Sequence, residues 1–137
     1  MTLQLTIITP IKSVFNEEVE EITLPSEQGE LTILPNHVSL FTRIKPGELS
    51  IRKNNKPTHF AITGGFLEVK ENKATILADY AIRADDIEVL KAQEAKEKAE
   101  KIMKEKVSGR DFAQAEAQFT RAILELKVAK RKRPASS

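Results

Sequence analysis

The sequence predicts an α+β protein: an N-terminal antiparallel β-sandwich of about ten strands over residues 1–83, then a C-terminal two-helix αα-hairpin over residues 84–137. Three observations predict it. Up to Tyr80 apolar and polar residues alternate with period two. Turn-forming residues interrupt that alternation about every ten positions. Beyond Tyr80 the apolar period lengthens to that of a helix.

The strands come first. Leu3, Leu5 and Ile7 alternate with Thr2, Gln4 and Thr6, and the same phase recurs at Ile22 and Leu24, Leu31 and Ile33, Leu49 and Ile51, and Leu67 and Val69. Successive strand side chains point to opposite faces, so each run has one face for a core and one for solvent. Between the runs stand Asn16-Glu17, Pro25-Ser26 with Gly29, Pro35-Asn36, Pro46-Gly47, Asn54-Asn55, Gly64-Gly65 and Asn72. These are the residue types that tight turns require. Gly64 and Gly65 read as backbone conformations that a β-carbon would forbid. With no helix following, they do not read as a phosphate cradle.

The helices follow. Asp85 and Asp86 can cap and complement a helix N-terminus, and the apolar stripe after them is Ile87, Leu90, Ala95, Ala99 and Ile102, with Met103 beside it. Ser108-Gly109 supplies a stop and a turn. Phe112, Ala115, Phe119, Ala122 or Ile123, Leu126 and Ala129 then lie at the spacing of one face of a second helix. Glu94/Lys98, Glu97/Lys101 and Glu100/Lys104 are i,i+4 pairs in the favourable order, each contributing about 0.2–0.5 kcal/mol. A stripe this rich in alanine gains little by burial, about 0.8 kcal/mol per methyl against roughly 1.5–3 for a leucine side chain. The hairpin is therefore expected to be thinly anchored and able to exist docked or undocked.

Composition narrows the function. A chain of 137 residues suits one compact domain, or a small domain with an appendage. The formal net charge of +2 is too near neutral to argue for a nucleic-acid binder. There are nine basic against ten acidic residues through Arg83 and thirteen against ten beyond it. The second excess rests on Lys127, Lys130, Arg131, Lys132 and Arg133, a run without interleaved aromatics that reads as a solvated helix end. The absence of cysteine excludes disulfides and thiolate metal sites. No segment approaches the roughly 18 apolar residues of a membrane span, so the chain is expected to be soluble.

Catalysis needs a nucleophile, a base and a stabiliser converging on one pocket. The two histidines, His37 and His59, belong to a separate turn and strand, and neither a Gly-x-Ser-x-Gly nor a His-Glu-x-x-His motif is present. No independent enzyme is expected, and no cofactor is required. A freestanding adaptor presenting its helical hairpin to a partner is one function class compatible with these residues.

The Leu-Pro-Asn-His turn (34–37), the Lys-Pro-Gly turn (45–47), the Gly-Gly-Phe-Leu-Glu-Val strand (64–69) and the Ile-Leu-Ala-Asp exit (76–79), in this order and followed by a helical hairpin, are specific in combination. From about Leu3 to Lys130 the chain resembles the epsilon subunit of F-type ATP synthases, the bacterial form in particular. The resemblance implies a noncatalytic central-stalk subunit, peripheral on the cytoplasmic face of the cell membrane. It implies a sandwich that grips the gamma subunit and touches the membrane c-ring. It also implies a movable hairpin that blocks ATP hydrolysis when extended toward the alpha and beta subunits. Glu30 matches the acidic loop position facing the rotor ring, and His37 matches a strip near the ring and gamma. Arg121, Lys127, Lys130 and Arg131 match residues that would meet an acidic loop of the beta subunit. Some members bind ATP as a regulatory ligand through an Ile/Leu-Asp-x-x-Arg-Ala motif, for which this chain has Ile87-Glu88-Val89-Leu90-Lys91-Ala92, with Arg121 on the second helix. Glu88 replaces Asp and Lys91 replaces Arg, and Glu125 stands where a second arginine would help, so the fork that grips a phosphate is lost at two positions.

Overall fold

Ten strands built by that two-residue alternation make up residues Met1–Arg83: β1 (Leu3–Ile8), β2 (Ser13–Val19), β3 (Glu21–Ser26), β4 (Gly29–Ile33), β5 (Leu40–Ile44), β6 (Gly47–Lys53), β7 (Lys56–Ile62), β8 (Gly65–Lys70), β9 (Lys73–Ala78) and β10 (Ala81–Arg83). The structure, a computed structural model, describes residues 1–105 and 108–131, the Arg131 side chain excepted. The chain separates into two compact units, Met1–Arg83 and Ala84–Ser137.

In the first unit the hydrogen-bonded order is β10-β7-β6-β3-β5-β8-β9-β1-β2, with β4 paired to β3. Strands β3 and β5 share the single pair Ser26↔Ile44, and there the sheet folds into two layers. The inner faces are the expected apolar phases. Leu5, Ile7, Ile22, Leu24, Leu49, Phe60, Leu67 and Ile76 are fully buried. Each such leucine or isoleucine removed from water contributes roughly 1.5–3 kcal/mol. Phe15 and Phe60 meet edge to face, centroids 5.7 Å apart at 81°. The Arg83 guanidinium lies 5.7 Å from both ring centres. The expected sandwich of about ten strands is thus present, with one difference: β1 pairs with β9 in parallel, Gln4↔Lys73 through Ile8↔Leu77, while antiparallel to β2. The N-terminal strand fills the slot between β9 and β2, which an all-antiparallel reading does not anticipate.

Two turns move from their expected places. Asn16-Glu17 lies within β2, because Asn16 Oδ1 accepts hydrogen bonds from Gln4 Nε2 (2.6 Å) and Thr6 Oγ1 (3.2 Å) across the strand pair. The reversal is instead at Thr9–Lys12, where the Thr9 N–H donates to Lys12 O at 2.9 Å and Thr9 Oγ1 accepts from the Ile11 and Lys12 amides. Pro25-Ser26 likewise belongs to β3; the turn follows it, with Ser26 Oγ–H donating to Gly29 O at 2.7 Å. The hairpin turns at Asn54-Asn55 (φ 54° and 64°) and Glu71-Asn72 (51° and 62°) have both central residues at positive φ, the two-residue form that matches strand twist. Gly65, at φ 149°, has no room for a β-carbon, which would lie 2.1 Å from Leu77 O.

The second unit contains a 3-10 turn (Ala84–Asp86), α1 (Val89–Glu105) and α2 (Gly109–Arg131). Asp85 and Asp86 lie in the 3-10 turn, closed by Ile87 N–H to Ala84 O at 3.2 Å, so the α-helix starts later than its acidic pair suggests. Gly109, at φ 88°, supplies the left-handed residue that reverses the chain. The short connection makes the helices antiparallel neighbours. Their seam is alanine: Ala92 and Ala99 on α1, and Ala115, Ala122 and Ala129 on α2, all buried and repeating every seven residues. This corrects the expected α1 stripe, since Leu90 is 79% exposed and Ala95 is exposed. Small side chains let two helices approach closely, and the contact line follows Ala92 and Ala99, turning Leu90 about 200° away. On α2 the expected Ala115, Ala122 and Ala129 are buried, with Ala122, not Ile123, at the seam, and Leu124 and Val128 are buried in addition, off the expected stripe. None of the described helices is long and apolar enough to cross a membrane.

Candidate functional site

His37 closes a turn. Pro35 fixes φ for the first central position, Asn36 takes φ 63° at the second, and the His37 N–H donates to Leu34 O at 3.2 Å, a type II arrangement. The imidazole Nδ1–H donates to the Val38 carbonyl oxygen at 2.7 Å, which orients the ring. Asn72 ties this turn to the fold. Its Oδ1 accepts from the Asn36 amide at 2.7 Å, and its Nδ2 donates to Thr2 O at 3.0 Å. On either side of the turn Leu34 is half-exposed and Val38 is 76% exposed. Glu30 is exposed at the start of β4, paired across the hairpin with Pro25.

A second exposed surface, absent from the sequence expectations, lies on β5, β8, β9 and β1. Leu67 and Val69 face inward, so the alternation turns Phe66 outward, and Thr42 and Ile44 do the same for Phe41 and Arg43. Phe41, 67% exposed, stacks on Phe66 with centroids 5.7 Å apart and planes at 13°, while the Arg43 guanidinium lies 5.3 Å from the Phe66 ring centre. Leu77, opposite Phe66 on β9, is half-exposed, and Ile8 opposite Leu77 on β1 continues the row. Four adjacent strands thus present apolar side chains on the phase that elsewhere carries charge. The signal was an aromatic residue in the polar register.

His59, which carried no expected role, lies on the β6–β7 pair with Nδ1 2.9 Å from Ser50 Oγ and 3.1 Å from Glu48 Oε2. Among the described residues no group of three or more His, Asp or Glu side chains is arranged to hold a metal.

The helical candidates divide between two sides of the alanine seam. Glu88 and Lys91 form an exposed ion pair at 3.1 Å, and Ala92 is buried in the seam, its N–H donating to Glu88 O at 3.0 Å. Arg121 is exposed on α2. At about 100° per residue, Lys127 lies roughly 120° and Lys130 roughly 180° around α2 from Arg121, so these cations do not form one face. The Arg131 side chain, Lys132 and Arg133 lie outside the described residues.

Comparison with known proteins fits this architecture. A family model described as "ATP synthase, Delta/Epsilon chain, beta-sandwich domain" matches residues 2–84, and one described as "ATP synthase, Delta/Epsilon chain, long alpha-helix domain" matches residues 85–130. The chain is 44% identical over 133 residues to the ATP synthase epsilon chain of Herpetosiphon aurantiacus, covering 97% of this chain and 98% of that one. It is 42% identical over 132 residues to that of Dehalococcoides mccartyi strain BAV1, covering 96% and 94%. Among solved structures, a chain of the Euglena gracilis mitochondrial ATP synthase OSCP/F1/c-ring assembly shares the fold with a TM-score of 0.71 at 22% identity, over 95% of this chain and 81% of that one. A chain of the Tetrahymena thermophila mitochondrial ATP synthase central stalk and c-ring gives 0.62 at 20%, over 94% and 97%. Two matching domain models in series and full-length identity above 40% make this chain a member of the ATP synthase epsilon chain family.

Proposed function

We propose that this chain is a noncatalytic subunit of the central stalk of a bacterial F-type ATP synthase, peripheral on the cytoplasmic face of the membrane. In this reading residues 1–83 couple the gamma subunit to the c-ring, with Glu30 and His37 at the ring. Residues 84–137 restrain ATP hydrolysis when they extend toward the alpha and beta subunits, where Arg121, Lys127, Lys130 and Arg131 meet acidic side chains. The observation that carries the coupling role is the exposed Phe41–Phe66 stack with Arg43 beside it. Aromatic side chains have few rotatable bonds to order on binding, and interfaces concentrate their energy in aromatic and arginine side chains. The two solved neighbours come from assemblies that hold a c-ring, which supports the same reading.

The test is capture of gamma by the purified full chain and by its Phe41→Ala/Phe66→Ala variant. Both rings lie on the outer face, so the sandwich should keep its fold while affinity falls at least about tenfold, as loss of a central aromatic contact implies. Gamma capture unaffected by the double change would contradict the assignment of this surface. Failure of the unaltered chain to capture gamma, with another protein retained instead, would favour a freestanding adaptor.

A further inference from the structure

The two sides of the alanine seam differ in chemistry. One side carries Glu88 and Lys91 from α1 and Arg121 and Glu125 from α2, two acids and two bases. The opposite side is a groove of about 430 Å³ lined wholly by the two helices. Its floor is Val89, Ile123, Leu126 and Ala129, and its rim is Lys96, Lys127 and Lys130, with Gln93 a neutral polar group between them. Among the described residues no carboxylate lines it. Helical geometry accounts for the segregation. On α1, Val89, Gln93 and Lys96 centre roughly 70–80° to one side of Ala92, whereas Glu88 and Lys91 lie to the other. On α2, Ile123, Lys127 and Lys130 occupy the matching side, and Arg121 and Glu125 the far one.

Three ammonium groups around one apolar trough repel each other and have no counter-charge among the described residues of its lining. An anion held among them relieves that repulsion, and an alkyl chain on the floor removes apolar surface from water. The groove is within the roughly 300–1,000 Å³ of small-molecule sites. It is too small for another helix, which is about 10–12 Å across with its side chains. We propose that it binds a single-chain anionic amphiphile of the fatty-acid class, carboxylate at Lys96, Lys127 and Lys130 and chain along Val89, Ile123 and Leu126. The site bridges both helices, so the ligand holds the hairpin closed upon itself. The inference does not depend on the assembly proposed above.

The test is calorimetric titration of the full chain with dodecanoate below its micellar concentration. Two comparison ligands are dodecyltrimethylammonium, the same chain with opposite charge, and butyrate, the same charge without the chain. One dodecanoate should bind per chain, both comparison ligands at least about tenfold more weakly, and binding should weaken as salt rises. Lys127→Glu/Lys130→Glu should lose at least about tenfold in affinity, and Ile123→Glu should lose as much from the floor. Lys98→Glu, outside the groove, should change it by less than about twofold. Circular dichroism confirms that each variant keeps its helices. Absence of saturable one-to-one binding, equal affinity for dodecyltrimethylammonium, or indifference to the Lys127 and Lys130 reversals would each overturn the proposal.

Discussion

The sandwich and the helical hairpin are both apolar inside, but they are built from different side chains. The β unit buries Phe60, Leu67, Ile76 and many other large side chains from two layers, with Ala61, Ala74, Ala78 and Ala81 among its small buried positions. The hairpin seam buries Ala92, Ala99, Ala115, Ala122 and Ala129, and the larger buried side chains among the described residues of the helical unit are Ile87, Leu124 and Val128. An alanine methyl offers about 0.8 kcal/mol where leucine or isoleucine offers roughly 1.5–3. The difference predicts that the helices open at lower free energy than the sandwich. Side-chain size at buried positions sets how much free energy opposes opening.

The contrast can be broken most severely from the sandwich side. Leu67→Ala removes a fully buried side chain and should lower unfolding free energy by about 2–5 kcal/mol, read from the urea midpoint of the β-sheet signal. A loss below about 1 kcal/mol would mean that the sandwich is no better packed than the hairpin. In the seam, Ala122→Leu is an overpacking change costing about 1–3 kcal/mol, and it should appear as reduced helical ellipticity with the β-sheet midpoint unchanged. Coincident loss of both signals would mean that the two units unfold together. A smaller effect sharpens the account of the turn end. Asn72→Gly keeps positive φ available but removes the hydrogen bonds to Asn36 and Thr2, for a loss of about 1–2 kcal/mol and faster amide exchange at Asn36. Smallest of all is Lys53→Ala, which breaks an ion pair with Glu17 whose two side chains are each more than one-third exposed. It should cost less than about 1 kcal/mol, and still less in high salt.

Sequence reading was most accurate where a local period has a single solution. Alternation at Leu3, Leu5 and Ile7 leaves one face for the core, and Gly65 has a neighbour that forbids any β-carbon. It failed where the partner, not the local pattern, decides. Asn16 has the composition of a turn, but Gln4 and Thr6 on β1 give it hydrogen bonds within a strand. The parallel placement of β1 beside β9 joins residues about seventy positions apart, which no local signal encodes. On α1, leucine outranks alanine by hydrophobicity, which predicts Leu90 on the stripe. The facing alanines of α2 make close approach the better solution, and Leu90 is left in water. The Phe41–Phe66 surface was readable from strand phase alone, whereas the groove on one side of the seam needed the rotation of both helices.

If buried side-chain size governs opening, the hairpin opens at far lower free energy than the sandwich. Native-state hydrogen exchange on the full chain tests it most directly. Amides of β8 and β9 around Leu67 and Ile76 should exchange only through global unfolding, while those of α1 and α2 exchange at least about a hundredfold faster. Helical amides as protected as those of β8 and β9 would contradict the account.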